Sequence, residues 1–279
     1  MPAPSESLAY LVLDIETAVD GRLVAGIQFP GEDLTAEEAT ARYAQQRLEA
    51  TGSDFIPHTY QVPVGIVVAK VAADFRLVDL VVLDEPQYRS HVMTRDLWRG
   101  WEAYRRPTLV TFNGRTFDLP VLEMAAFRYG ISVPAWFAAD GPSYDKPRYR
   151  YNQRSHLDLM DLLTNFGASR FPGGLDLAAR ILGKPGKIDV CGQMVQELYE
   201  QGRLGEISDY CRCDVLDTYF VFLRSRVLVG ELDIDTEQQI VAETRKWLET
   251  QSAASPGLAK YLENWGDWSD PWTVVPATD

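Results

Sequence analysis

The sequence predicts an α/β domain, and three observations carry that prediction. Leu8 through Leu13 is nearly continuous apolar sequence, the pattern of a strand buried on both faces. Two further β-rich runs, Val62 to Val71 and Phe75 to Leu83, are separated only by Ala72-Ala-Asp74, a tight turn that folds them with the first strand into a meander. Helical patterns then alternate with another apolar strand. With 279 residues, the chain has room for one large domain of this class or one domain with appendages.

Taken in order, the first strand ends in Asp14-Ile-Glu16-Thr17. Side chains alternate across a strand, so Asp14 and Glu16 project on one side, about 7 Å apart. Buried carboxylates are costly unless a cation or proton compensates them, and that span suits two acids gripping hard divalent cations. A strand leaving for solvent through polar residues is the other reading of the same letters. Residues 18–57 read as an insertion. Its helix, from Leu34 to Glu49, has Thr35 as N-cap, Glu38 three residues on as a capping box, and Gly52 as its stop. Thr94 to Tyr104 is helical, with Leu97, Trp98 and Trp101 on one face.

Thr108 to Phe112 is an interior strand, and Asn113-Gly-Arg-Thr-Phe-Asp118 turns it into a helix from Leu119 to Tyr129, with Pro120 in the first turn. Asp118 is either a helix cap or a functional acid at a strand mouth; Phe117 beside it offers a face on which a base can stack. Residues 132–154 read as a long loop, in which Arg148, Arg150 and Arg154 alternate with Tyr149 and Tyr151. That composition suits either a grip on single-stranded nucleic acid or an ordinary solvated loop. Ser155 to Asp161 is a short extended segment; Asp158 and Asp161 read as capping or solvated acids rather than outer ligands. Helices follow at about Leu175–Leu182, Val190–Gln201, Glu206–Leu228 and Thr236–Thr250. Within the third, Tyr210 and Asp214 are four apart and share one face, either as a structural hydrogen bond or as a functional pair.

Composition limits the function classes. No run approaches the ~18 apolar residues of a membrane span, and the first residues lack the basic start and apolar core of a signal peptide. Three cysteines, at 191, 211 and 213, fit a reducing cytoplasm better than a disulfide framework, and Cys211-x-Cys213 has the wrong spacing for a zinc knuckle. A net charge of −13 argues against coating nucleic acid through the overall field. Residues 99–187 nevertheless hold 13 Lys and Arg against 8 Asp and Glu, a locally basic middle suited to a polyanion held at one site.

In this order, strand Asp14-x-Glu16, then Asn113-Gly-x-x-Phe-Asp118, then Tyr210-x-x-x-Asp214 resemble the DEDDy 3′–5′ exonucleases. The match is similar to the proofreading domain of family-B DNA polymerases, and more so to free-standing predicted exonucleases like that domain. It runs from about Leu8 to Arg224, and includes Leu182-Gly-Lys-Pro-Gly-Lys187 and Asp214-Val-Leu-Asp-Thr-Tyr-Phe-Val-Phe-Leu-Arg224. The related DEDDh enzymes place His five residues before the last Asp. Here that position is Asp209, and the Tyr subtype is read from Tyr210.

The resemblance implies a ribonuclease H-like fold, a mixed sheet of about five strands flanked by helices. It implies residues 1–230 as the exonuclease domain, with 231–279 as a C-terminal helix and an acidic, Trp-bearing tail that packs on the domain or docks a protein partner. It implies two Mg²⁺ or Mn²⁺ ions held by Asp14, Glu16, Asp118 and Asp214, with Tyr210 orienting the attacking water. Thr17 and Asn113 read as substrate contacts or as a strand-end cap and a turn residue, and Phe117 as a substrate contact; Lys184 and Lys187, beside Gly183 and Gly186, suit phosphate contacts without forming a P-loop. The expected activity is release of nucleoside 5′-monophosphates from single-stranded 3′ ends, DNA before RNA. An exoribonuclease is the nearest alternative, and a non-catalytic scaffold that binds nucleic acid or a polymerase partner is the other.

Overall fold

A computed structural model describes residues 8–188 and 192–272. The outer termini and residues 189–191, with the expected helix start at Val190 and with Cys191, lie outside the described residues. The architecture is α/β, with a five-stranded mixed open sheet flanked by helices in the ribonuclease H-like manner. The strands are β1 (Leu8–Val19), β2 (Gln61–Ala72), β3 (Leu77–Val82), β4 (Thr108–Thr111) and β5 (His156–Asp158), in the order β3-β2-β1-β4-β5. The pairs β1–β2 and β2–β3 are antiparallel, which gives the meander; β1–β4 and β4–β5 are parallel. β1 is therefore the hinge between the two halves of the sheet, with neighbours on both edges.

Alternation along β1 sorts its side chains between two cores. Leu11, Leu13 and Ile15 pack with Met93, Leu97, Trp98 and Trp101 of α3 (Ser90–Ala103) and with Leu119 and Leu122 of α4 (Asp118–Tyr129). Val12 faces the opposite layer, where α8 (Leu204–Leu228) supplies Cys211, Val215, Leu216, Tyr219, Phe220 and Leu223. α8 is buried nearly all round, so its sequence lacks a clean polar stripe. The same alternation turns Asp14 and Glu16 toward α8. This is what positions the site.

The insertion opens with α1 (Gly21–Gln28), which the sequence did not announce, followed by α2 (Ala36–Thr51). Thr35 and Glu38 form the expected capping box on α2, and Gly52 closes it in a left-handed conformation, φ 76°. Gly21 is where α1 meets α2: a Cβ there would lie 2.3 Å from the Ala36 carbonyl oxygen. A short helix that begins with glycine carries little periodic signal, which is why it stays hidden. The same holds for α5 (Leu159–Thr164), a single capped turn and a half.

α6 (Gly174–Ile181), α7 (Gly192–Glu200) and α9 (Ile234–Gln251) match expected helices, and α10 (Pro256–Glu263) is additional. Downstream of residue 250 the chain returns to α8. Ser255 Oγ donates to Asp209 Oδ1 at 2.9 Å and caps α10, and Tyr261 Oη donates to Asp217 Oδ1 at 2.6 Å. Trp265 packs on Phe220 and Tyr261, Arg224 stacks over Trp268, and Trp272 is exposed. No described helix is long and apolar enough to cross a membrane.

Asp217 is buried, and burial pushes its carboxyl up to about 8, so near neutral pH it is held largely as the acid. Removing its phenol donor leaves a buried acceptor without that partner. Tyr261→Phe is therefore expected to cost about 1–3 kcal/mol in urea unfolding at pH 7; an unchanged midpoint would show that the contact contributes nothing.

Candidate active site

Five residues from three elements converge where β1 passes beneath α8. Asp14 and Glu16 come from β1, Asp118 opens α4, and Tyr210 and Asp214 lie one turn apart on α8. Gly65 of β2 faces Glu16 in register and supplies no side chain; a Cβ there would already touch Ile207, Glu16 and Ser208 at 3.4–3.8 Å. A glycine inside a strand pattern is a signal of close approach. Here it lets the first turns of α8 settle on the sheet beside the carboxylates. The β1–β2 register slips between Glu16 and Thr17, a bulge at the point where the acids end.

Asp14, Glu16 and Cys211 each offer a donor atom, and these atoms lie within 4.8 Å of one another. Cys211 Sγ donates to the Asp14 backbone oxygen at 3.3 Å and lies 3.8 Å from Asp14 Oδ2. Asp118 and Asp214 stand outside that group but act on it electrostatically. Burial, then the charges of Asp118, Asp214 and Glu16, hold the Asp14 carboxyl well above the ordinary range. Burial, then Asp214 and Asp118, do the same to Glu16, which is 8% exposed, with Lys187 opposing.

Asp118, 4% exposed, is pushed up to about 7 by burial, with Asp158 and Asp214 adding to the shift and backbone N–H groups of Ile15 and Asp118 itself opposing it. Asp214 is pushed up to about 6 by burial, against a hydrogen bond from Tyr210 and the charge of Lys187. The Tyr210 phenol is driven far upward by burial and by Asp214, so it remains a proton donor.

Burial is the first cause of all four shifts, and mutual repulsion adds to it at Asp14, Glu16 and Asp118. Protons or cations relieve such a cluster, and hard divalent ions prefer oxygen donors. Glu16 supplies the specific test of fit. It is buried, and among the described residues its carboxylate accepts no hydrogen bond. A largely enclosed carboxylate that no donor of the chain neutralises suits a cation ligand. The residues present fit divalent metal.

The remaining expected contacts lie at the edges of this cluster. Thr17 Oγ1 is hydrogen-bonded to the Gln61 side chain. Asn113 has φ 66°; its N–H donates to Asp158, and its Oδ1 accepts from Thr116 Oγ1 at 2.6 Å, leaving its amide N–H₂ without a bond among the described residues. Phe117 is half-buried beside the exposed Phe55, ring centroids 6.1 Å apart. Asp158 is buried and structural: it accepts from the N–H groups of Asn113, Arg115, Met160 and Asp161, capping α5 and fixing the turn that delivers Asp118. Asp161 pairs with Arg115 at 2.6 Å.

Much of the basic middle is similarly committed. Arg128 pairs with Asp20, Arg148 with Glu123 and Arg180 with Asp176. Lys184 is buried, with Nζ donating to the Gly266 carbonyl at 2.9 Å and lying 4.0 Å from the Trp265 ring, so it does not face solvent. Lys187 is exposed, and its charge reaches Glu16 and Asp214.

Cys211 is a neighbour of the acids that the sequence motifs do not include. The signal was present, since it lies three residues before Asp214 and so on nearly the same helix face.

Residues 53–265 match the model of a family described as a predicted 3′-5′ exonuclease related to the exonuclease domain of PolB. No curated protein matches the chain.

Proposed function

The chain belongs to that family of predicted 3′-5′ exonucleases, and from this premise we propose that it is a metal-dependent 3′–5′ exonuclease that shortens single-stranded DNA and releases nucleoside 5′-monophosphates. The observation that carries the reading is the convergence of Asp14, Glu16, Asp118 and Asp214 with all four carboxyls pushed upward, beside a Tyr that keeps its proton. A non-catalytic scaffold has no physical need for that arrangement.

Asp14, Glu16, Asp118 and Asp214 would hold two Mg²⁺ or Mn²⁺ ions. Such ions activate a water and stabilise the leaving 3′ oxygen in an in-line displacement. The chain's own groups do the rest. Tyr210, whose single O–H donates to Asp214, orients the attacking water through its phenol oxygen, which accepts; a phenol raised this far stays protonated and does not remove the water's proton. Lys187 adds a positive charge facing the reacting phosphate. Thr17, on the same strand as Glu16, borders the terminal nucleotide, the free amide N–H₂ of Asn113 reaches the chain behind it, and the Phe117–Phe55 pair offers aromatic faces to an unpaired base.

The test uses matched 5′-labelled single-stranded DNA and RNA with Mn²⁺, Mg²⁺ or EDTA. The expected result is a ladder shortening from the 3′ end on DNA, lost with EDTA; preferential shortening of RNA would replace the substrate with the exoribonuclease reading. Tight metal-independent binding without cleavage would overturn the reading. Tyr210→Phe is expected to lower kcat by about 10²-fold with little change in the Mn²⁺ concentration for half-maximal rate. A large shift in that concentration would make Tyr210 part of metal binding instead.

A further inference from the structure

We propose that Cys211 makes the Asp14–Glu16 end of the acidic cluster a binding site for a thiophilic divalent cation, Zn²⁺ or Cd²⁺, distinct in ligand set from the all-oxygen site for Mg²⁺ or Mn²⁺. The binding rests on geometry alone; only its consequence, inhibition, rests on the exonuclease reading.

Two observations support it. The donor atoms of Asp14, Glu16 and Cys211 already lie within 4.8 Å of one another. Ligands at ordinary zinc bond lengths, about 2.0–2.3 Å, stand about 3.5 Å apart around a tetrahedral ion, so the set needs to contract by only about 1 Å at its widest pair. The Cys211 Sγ–Asp14 Oδ2 separation, 3.8 Å, is near that figure as it stands. The second observation is Glu16, more than nine-tenths buried, directed into the cluster and without a hydrogen bond among the described residues. Two carboxylates and one sulfur make a three-ligand set with an open fourth position.

Softness then separates the cations. Mg²⁺ takes oxygen and gains nothing from the sulfur, whereas Zn²⁺ and Cd²⁺ bind thiolate strongly. Burial and the neighbouring acids keep the Cys211 thiol protonated before a metal arrives. On binding, the S–H bond breaks, its proton passes to solvent, and a sulfur–metal bond forms with no change of oxidation state. The cation draws Asp14 and Glu16 toward the sulfur and away from Asp118 and Asp214, so an occupied site is silent toward phosphodiesters. The other described cysteine is turned elsewhere: Cys213 Sγ faces the carbonyls of Asp209 and Gly257 at 3.4 and 3.7 Å.

The test titrates the EDTA-stripped, dialysed protein with Cd²⁺ and follows the ultraviolet thiolate-to-metal charge-transfer absorption, with affinity measured by calorimetry. Wild type, Cys213→Ser and Cys191→Ser are expected to show the band and saturate at one equivalent. Cys211→Ser is expected to lose the band and bind Cd²⁺ about tenfold or more weakly. Asp14→Asn should weaken binding similarly. Circular dichroism checks each fold, and Cys211→Ala substitutes for the serine variant if that variant fails it. The proposal is overturned if wild type shows no band, if the band survives loss of Cys211, if it follows Cys191 or Cys213, or if Asp14→Asn binds as wild type does. None of these readouts requires turnover. A protein that binds Cd²⁺ through Cys211 but cleaves no nucleic acid would retain this site and sink the nuclease reading; active enzyme without the band would do the reverse.

Discussion

Asp118→Asn is expected to lower kcat on single-stranded DNA by about 10³-fold or more, about 4 kcal/mol in the barrier, while making the metal-free protein more stable at pH 8. The two effects share an origin. Asp118 is 4% exposed, burial lifts its carboxyl to about 7, and at pH 8 it is a buried anion facing Asp214 and Asp158. The amide retains the shape and removes the charge, which relieves repulsion in the empty site and removes an oxygen ligand for cations. The signature is a melting temperature above wild type in EDTA, together with a smaller rise on adding Mn²⁺. If the variant retained activity, Asp118 would be only a helix cap. If it lost activity but melted below wild type in EDTA, the electrostatic account of the cluster would be wrong.

The second large effect is the pH dependence of stability without metal. Asp118 and Asp214 titrate near 7 and near 6 in the folded chain, against about 4 for an ordinary carboxylate. With Asp217 raised to about 8 as well, the folded state binds more protons than the unfolded one between about pH 4 and 8, so stability falls as pH rises through that window. The contribution is fully present below about pH 4 and is lost as the acids ionise. Asp84 acts in the opposite direction: held down to about 2 by Arg89, it loses its contribution only at strongly acid pH. In EDTA the melting temperature is thus expected to rise by several degrees from pH 8 to 5, at about 2–4 °C per kcal/mol. Saturating Mn²⁺ should flatten the profile, most at the alkaline end. A metal-free profile that is flat or rises toward pH 8 would contradict this.

Much of the site was legible because its logic is short-range. Period-two alternation put Asp14 and Glu16 on one side of β1, and four-residue spacing put Tyr210 and Asp214 on one face of α8. Thr35, Glu38 and Gly52 marked the ends of α2 through caps that need only a few neighbouring residues. What stayed hidden depends on contacts between distant segments. Asp158 was read as a cap or a solvated acid, yet it also fixes the Asn113–Arg115 turn from 45 and 43 residues away. Lys184 looked like a phosphate contact, and only the return of Trp265 and Gly266 shows it buried. Gly65 passed as one more residue of the Val62–Val71 run, and only the fold shows α8 settled against it. The short helices α1, α5 and α10 offer too few turns for periodicity to register.

The contact between Tyr261 and Asp217 also bears on how the protein is born. β1, with two of the acids, leaves the ribosome about two hundred residues before Asp214, and the strut that braces α8 emerges later still. Until residue 214 is made, the nascent chain carries at most three of the four acids. Such distant pairings close slowly because a long loop must be ordered before they form. The cluster of acids is thus closed by α8 and its brace, which are among the last elements to be made.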